Sequence, residues 1–203
     1  MTQKKLTLFE VENRDFSNYC GIDEAGRGPI AGPLVIAGVI LYSKIDGLRD
    51  SKKLTQKKRE ELYEIIRDNS NYYIYKIDAK KIDKVGLSRS IKEGLEAIKK
   101  HFLDCKFIFD GNSSFGVDNI ETLIKADNKI ECVKAASILA KVYRDNLMIE
   151  YSKEYINYGF EKHKGYGTKF HLEAIDKYGY CEIHRKSFKI KKLASNILTK
   201  AKL

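Results

Sequence analysis

The chain has 203 residues, 43% of them hydrophobic and 33% charged, and Lys plus Arg outnumber Asp plus Glu by 38 to 28 for a formal net charge of +10. That length supports one substantial core and leaves no room for a second large domain, while the longest apolar run, PLVIAGVIL at 33–41, is too short to span a bilayer. The charge favours a polyanionic partner, and the opening MTQKKLTLFEVENRD lacks the apolar core of a signal peptide, so a cytoplasmic, monomeric protein without membrane association is expected.

Residues 1–18 read as a polar N-terminal extension and 19–203 as the folded domain, ending in a basic segment that is helical in part. YCGID and PLVIAGVILY are strand-like and joined by a glycine-rich stretch, which predicts a hairpin with a long, shaped turn. Leu62, Ile65 and Ile66 share one face of a helix over 55–69, and YYIYKID at 72–78 returns to strand. Ser90 with Glu93 fits a capping box, after which Ile91, Leu95, Ile98 and Phe102 recur at helical spacing. KFIFDG is a short strand ending at Asp110-Gly111. A loop then leads to a long helix through AASILAKVYRDNLMIEYSKEY, whose Ala135, Ala136 and Ala140 permit close packing. Thr168 caps a last helix with Leu172, Ile175 and Tyr178, stopped by Gly179. The order implies an α/β layered fold with a mixed sheet, because the first two strands are too close in sequence for a parallel crossover. Cys20, Cys105, Cys132 and Cys181 are scattered without metal-ligand spacing and read as reduced thiols.

Acidic residues fall at the ends of these elements. Asp23 and Glu24 leave the first strand, Asp110 leaves a later one, and Asp127 precedes the long helix. If the strands are neighbours, four carboxylates converge and raise one another's pKa unless a cation neutralises them. Mg²⁺ or Mn²⁺ suits an all-oxygen site that also takes substrate phosphate. Singly, each acid also fits a turn or helix cap.

GIDEAGRGPIAGPLVIAGVIL, DSKKLT, IFDGN, KADNKI with AASILAKVYRD, and HKGYGTKFHLEAIDKYGYCEIHRKSF together resemble bacterial type 2 ribonuclease H, over about residues 19–188. The resemblance implies a ribonuclease-H-like mixed five-stranded sheet flanked by helices, with a helical C-terminal extension. It further implies two-metal cleavage of the RNA strand in RNA/DNA hybrids, and of duplex DNA on the 5′ side of an embedded ribonucleotide. Asp23, Glu24, Asp110 and Asp127 match the family's metal-binding carboxylates, and Asp145 is expected instead to form an ion pair within its helix.

The same resemblance assigns Gly26, Arg27 and Gly28 to recognition of the 2′-hydroxyl, the group that separates RNA from DNA. Glycine lets main-chain groups approach a sugar where a side chain would collide. Tyr166 matches the tyrosine that stacks on the sugar at an RNA-to-DNA junction. Lys52, Arg185 and Lys186 are candidate phosphate contacts, whereas no histidine is assigned to catalysis. Lys5–Phe9, KLTLF, is similar to peptides that dock on the bacterial sliding clamp; packing on its own domain is the other reading.

Overall fold

The computed structural model describes residues 5–7, 14–49 and 51–189. Five strands form one sheet in the order β3-β2-β1-β4-β5: β1 (Tyr19–Ala25), β2 (Leu34–Leu41), β3 (Ser70–Ile77), β4 (Lys106–Asp110) and β5 (Ile120–Leu123). β1–β2 and β2–β3 are antiparallel, whereas β1–β4 and β4–β5 are parallel. This is the mixed five-stranded sheet that the family resemblance implied. Only β5 escaped the residue pattern, since its four residues give no strand signal of their own and it exists by pairing with β4.

Both sheet faces are covered. Cys20, Ile22, Leu34, Ile36, Phe107 and Phe109 pack under α2 (Ala79–Val85) and α3 (Leu87–His101), which supply Ile82, Ile91, Leu95 and Ile98. On the other face Val35, Ala37 and Val39 meet α1 (Gln56–Asp68) and the long α4 (Glu131–Glu154). Ala135, Ala136 and Ala140 are fully buried there, as close helix-to-sheet packing requires. Each large aliphatic side chain so buried contributes about 1.5–3 kcal/mol. A third layer holds α5 (Phe160–His163) and α6 (Lys169–Tyr178) around Met148, Tyr158 and Phe160.

The cap expected at Thr168 is present, and the structure adds one at Thr55. The Thr55 and Thr168 hydroxyls accept main-chain N–H bonds from Lys58 and His171, as N-caps do. Ser90 is not a cap. It lies inside α3, buried, with its hydroxyl donating to Gly86 O at 2.9 Å, while Glu93 accepts from Tyr75 and pairs with Lys81. The helix starts one turn earlier because Leu87 packs on the core.

Among the described residues all four cysteines are free and no helix is long and apolar enough to cross a membrane. Lys5 bridges Thr122, Leu6 N–H donates to Thr122 O at 3.0 Å, and Leu6 is buried beside Tyr19, Ile108 and Leu123. The first part of the clamp-like peptide thus packs on its own domain, and Phe9 lies outside the described residues. So does the C-terminal segment from 190.

Candidate active site

Strand parity brings the acids together. Along β1, Cys20 and Ile22 face one side, so Asp23 turns to the α4 side; along β4, Phe107 and Phe109 share that first side and Asp110 turns to the second. Ile22 is in register with Phe109, which places Asp23 beside Asp110 at the adjoining strand ends. Asp127 arrives from a 3₁₀ turn, Ala126–Asn128, just ahead of α4. Asp110 fixes that turn, for its Oδ1 accepts the Ala126 N–H at 2.8 Å. As a result one carboxylate oxygen each from Asp23, Asp110 and Asp127 lies within 4.8 Å of the others.

Glu24 lines the same cleft of about 410 Å³, together with Gly26, Arg27, Gly28, Ser51, Lys52, Ser137, Lys141, Arg144 and Tyr166. Its Oε1 is 2.8 Å from Arg27 Nη2, while Oε2 is buried with no hydrogen-bond partner among the described residues. Burial raises the pKa of Asp23 well above the usual carboxylate range, with repulsion from Glu24 and Asp110 adding to it. Burial likewise lifts Glu24 to about 7, Arg27 opposing and Asp110 reinforcing. Asp110 is raised by burial too, against the Ala126 N–H bond and with Asp127 adding repulsion. Converging oxygens that resist ionisation, one of them orphaned, fit a hard divalent cation.

The glycine-rich segment is held by the two later motifs. Ile30 and Ala31 N–H both donate to Gly165 O, at 3.0 and 3.2 Å; Gly32 N–H donates to Ile183 O, and Arg185 N–H to Ile30 O. Gly26 has φ +99°, and a Cβ there would lie 2.2 Å from Arg144 Nε and 2.6 Å from Pro33 O, so only glycine fits. Gly28 is exposed, and Tyr166 Cε1 sits 3.8 Å from the position a Cβ would take. Tyr166 itself is 48% exposed at the rim.

Behind Tyr166, His171 and His184 form a directed hydrogen-bonded chain, with His163 stacked on His171. His171 Nδ1–H donates to Tyr166 O at 2.9 Å, so the neutral ring accepts at Nε2, 3.0 Å from His184 Nε2, which must donate. His184 Nδ1 is then left to accept the Cys181 N–H at 2.9 Å. His163 donates to Tyr158 O and accepts from Gly165 N–H. Burial holds His171 and His184 down to about 4, consistent with neutral rings. All three are packing and positioning groups.

The remaining candidates divide. Lys52 is exposed, with Nζ 3.7 Å from Asp127 Oδ2, and faces the cleft. Lys186 is exposed outside the cleft lining, its main-chain N–H bonded to Asp83. Arg185 is a correction. It is 1% exposed, and its guanidinium donates to Gly32 O and Arg27 O instead of facing a surface ligand. Asp145 pairs with Lys141 at 2.8 Å, as expected of an intrahelical partner. Sequence reasoning passed over Arg144, although its spacing from Ala140 and Met148 puts an arginine on the buried stripe of α4.

A family model described as Ribonuclease HII matches residues 20–191. A Ribonuclease HII from Sulfurovum sp. (strain NBC37-1) is 59% identical over 174 residues, 86% of this chain and 93% of its own length. Among solved structures, the PCNA:RNase HII complex from Archaeoglobus fulgidus superposes with a TM-score of 0.73 at 28% identity, over 85% of this chain and 96% of that one. Ribonuclease H2 from Pyrococcus horikoshii OT3 gives a TM-score of 0.72 at 27% identity, over 90% and 99%. With the family model matched over residues 20–191 and a relative 59% identical over 86% of this chain, the chain belongs to the ribonuclease HII family.

Proposed function

We propose that this chain is an endonuclease that cuts the RNA strand of RNA/DNA hybrids and also cuts duplex DNA on the 5′ side of an isolated ribonucleotide, leaving 3′-hydroxyl and 5′-phosphate ends. Hydrolysis of RNA in hybrids is the family's activity. The observation that carries the reading is the approach of Asp23, Asp110 and Asp127 oxygens to within 4.8 Å of one another, the first two lining a cleft that Gly28 and Tyr166 also line.

Asp23, Glu24, Asp110 and Asp127 would hold Mg²⁺ or Mn²⁺, and when bound such a pair of ions supplies the Lewis acidity that phosphodiester hydrolysis requires. Ser137 donates to Asp23 and Ala126 N–H to Asp110, which keeps both carboxylates aimed into the cleft. Gly26, Arg27 and Gly28 offer main-chain groups to the ribose, Arg27 meanwhile holding Glu24. Tyr166 presents its ring to the next sugar, and Lys52 meets a phosphate beside the acids. Lys186 reaches the duplex farther out.

Incubating a duplex holding one ribonucleotide with Mg²⁺ or Mn²⁺ tests this. Asp23→Asn should abolish cutting, and Tyr166→Ala should weaken cutting at a single ribonucleotide more than in a long hybrid. Cutting by Asp23→Asn at the wild-type rate would refute the assignment. The Archaeoglobus relative was solved as a PCNA complex. Clamp docking here through Lys5–Phe9 would need Leu6 to leave its buried position, and unchanged clamp binding after Leu6→Ala with Phe9→Ala would remove it.

A further inference from the structure

Arg144 and Arg185 are the largest of the fully buried side chains, and no salt bridge to a carboxylate is formed by either among the described residues. Both serve one loop, residues 26–33. Arg144 donates from Nε to Pro33 O at 2.9 Å and from Nη2 to Ala31 O at 3.2 Å. Arg185 donates from Nε to Gly32 O at 2.9 Å and from Nη1 to Arg27 O at 3.3 Å. Burial lowers the pKa of both, Arg185 to about 9 with the charge of Arg144 adding to the effect. Arg185 Nη2 has no partner at all among the described residues.

Two buried, neighbouring cations with an orphaned donor are a costly way to fill space. Methionine would fill much of the same volume without the charge. What a guanidinium adds is direction, since its planar fork fixes the carbonyls that it meets. In a trans peptide the C=O and N–H point opposite ways, and no peptide among the described residues is cis. Arg185 engages Arg27 O from the buried side, so the N–H of the same peptide, that of Gly28, faces outward. Gly28 is exposed beside Tyr166, and its N–H has no acceptor among the described residues.

We propose that Arg185 is a positioning residue for ribose discrimination: with Arg144 clamping the far end of the loop, it turns the Arg27–Gly28 peptide so that the Gly28 N–H is presented to the 2′-oxygen of the ribonucleotide. The inference rests on the reading of Gly26–Gly28 as the ribose-facing segment. It makes a motif on one side of the fold depend on a basic residue 158 positions later, for orientation and not for charge.

The test measures KM and kcat on a duplex with one ribonucleotide, and Ki for the all-DNA duplex of the same sequence as competitor, for wild type, Arg185→Met and Arg185→Lys. The ratio of Ki to KM should fall about tenfold in Arg185→Met, through KM, with Ki unchanged. Arg185→Lys keeps a cation but not the fork, and should lose nearly as much. Parallel loss of KM and Ki, or full recovery by lysine, overturns the proposal. Should neither variant fold, amide exchange in the wild-type protein decides: Gly28 N–H should slow at least tenfold on binding the ribonucleotide duplex and not on binding DNA, and equal slowing by both overturns it. A wild-type Ki for DNA equal to the KM would instead refute the ribose-facing reading itself.

Discussion

Glu24→Gln should make the metal-free protein more stable, and the gain should depend on pH. Glu24 is held at about 7 against an ordinary 4.5, first by burial and then by Asp110, with the help of Arg27 already counted. A carboxyl raised in the fold binds more protons folded than unfolded between those values, so stability is lost as pH rises through the window. Keeping Glu24 ionised at pH 8 therefore costs about 3 kcal/mol, a large share of a typical 5–15 kcal/mol total. Glutamine has nearly the same shape and never ionises. Urea unfolding in EDTA at pH 5 and pH 8 reads the effect: wild type and variant should differ little at pH 5, and the variant should be more stable by about 2–3 kcal/mol at pH 8. His171 and His184 titrate in the same range with opposite sign, so the quantity to read is the difference between the two proteins. Excess Mg²⁺ or Mn²⁺ should stabilise wild type more than the variant, closing the gap. A variant no more stable than wild type at pH 8, or equally more stable at both pH values, would refute the electrostatic account of the site.

Asp110→Asn should cut RNA/DNA hybrids at least 10³-fold more slowly yet keep its fold by circular dichroism, because the amide oxygen still accepts the Ala126 N–H. Gly165→Ala, at φ +85° with its Cβ 2.3 Å from Ala31 O, should lose about 2–3 kcal/mol in urea unfolding and detach the glycine-rich loop. The histidine chain supplies stability that is fully present above about pH 6.5 and lost as pH falls through 4, since His171 and His184 are held neutral at about 4. In the His171→Asn, His184→Leu double variant the acid-side slope of stability against pH between 6.5 and 4 should flatten; an unchanged slope would show that the rings are not the groups titrating.

Elements whose pattern and ends are local could be read directly. α6 announces itself by a threonine cap before an apolar stripe, α1 by apolar residues on one face, and the β1–β2 hairpin by two β-rich runs around glycines. β5 could not be read this way. IETL is four residues whose strand character comes from pairing with Phe107 to Asp110, and no local signal encodes a remote partner. The Ser90 capping box failed for a related reason, as tertiary packing of Leu87 lengthened the helix past a sequence that would otherwise start it. In the site, Asp23 and Asp110 were legible because strand ends are places where a carboxylate can meet a neighbour. Arg185 was not, because HRKSF reads the same whether the arginine lies on the surface or beneath it.

The site sets two requirements against each other. Carboxylates must stand close enough to hold cations, and that closeness makes them hard to ionise before any cation arrives. The fold resolves this by fixing the backbone: Asp23 and Asp110 are placed by strand register over a core of Ile22 and Phe109, and Asp127 by a turn whose Ala126 N–H donates to the Asp110 carboxylate. Fixed positions leave repulsion no route to relax except protonation or metal binding. The same division appears in the glycine-rich loop, where buried arginines hold carbonyls from behind. In both places the carboxylates and the exposed Gly28 are left with unmet electrostatic demand, and rigidity behind them is what preserves it.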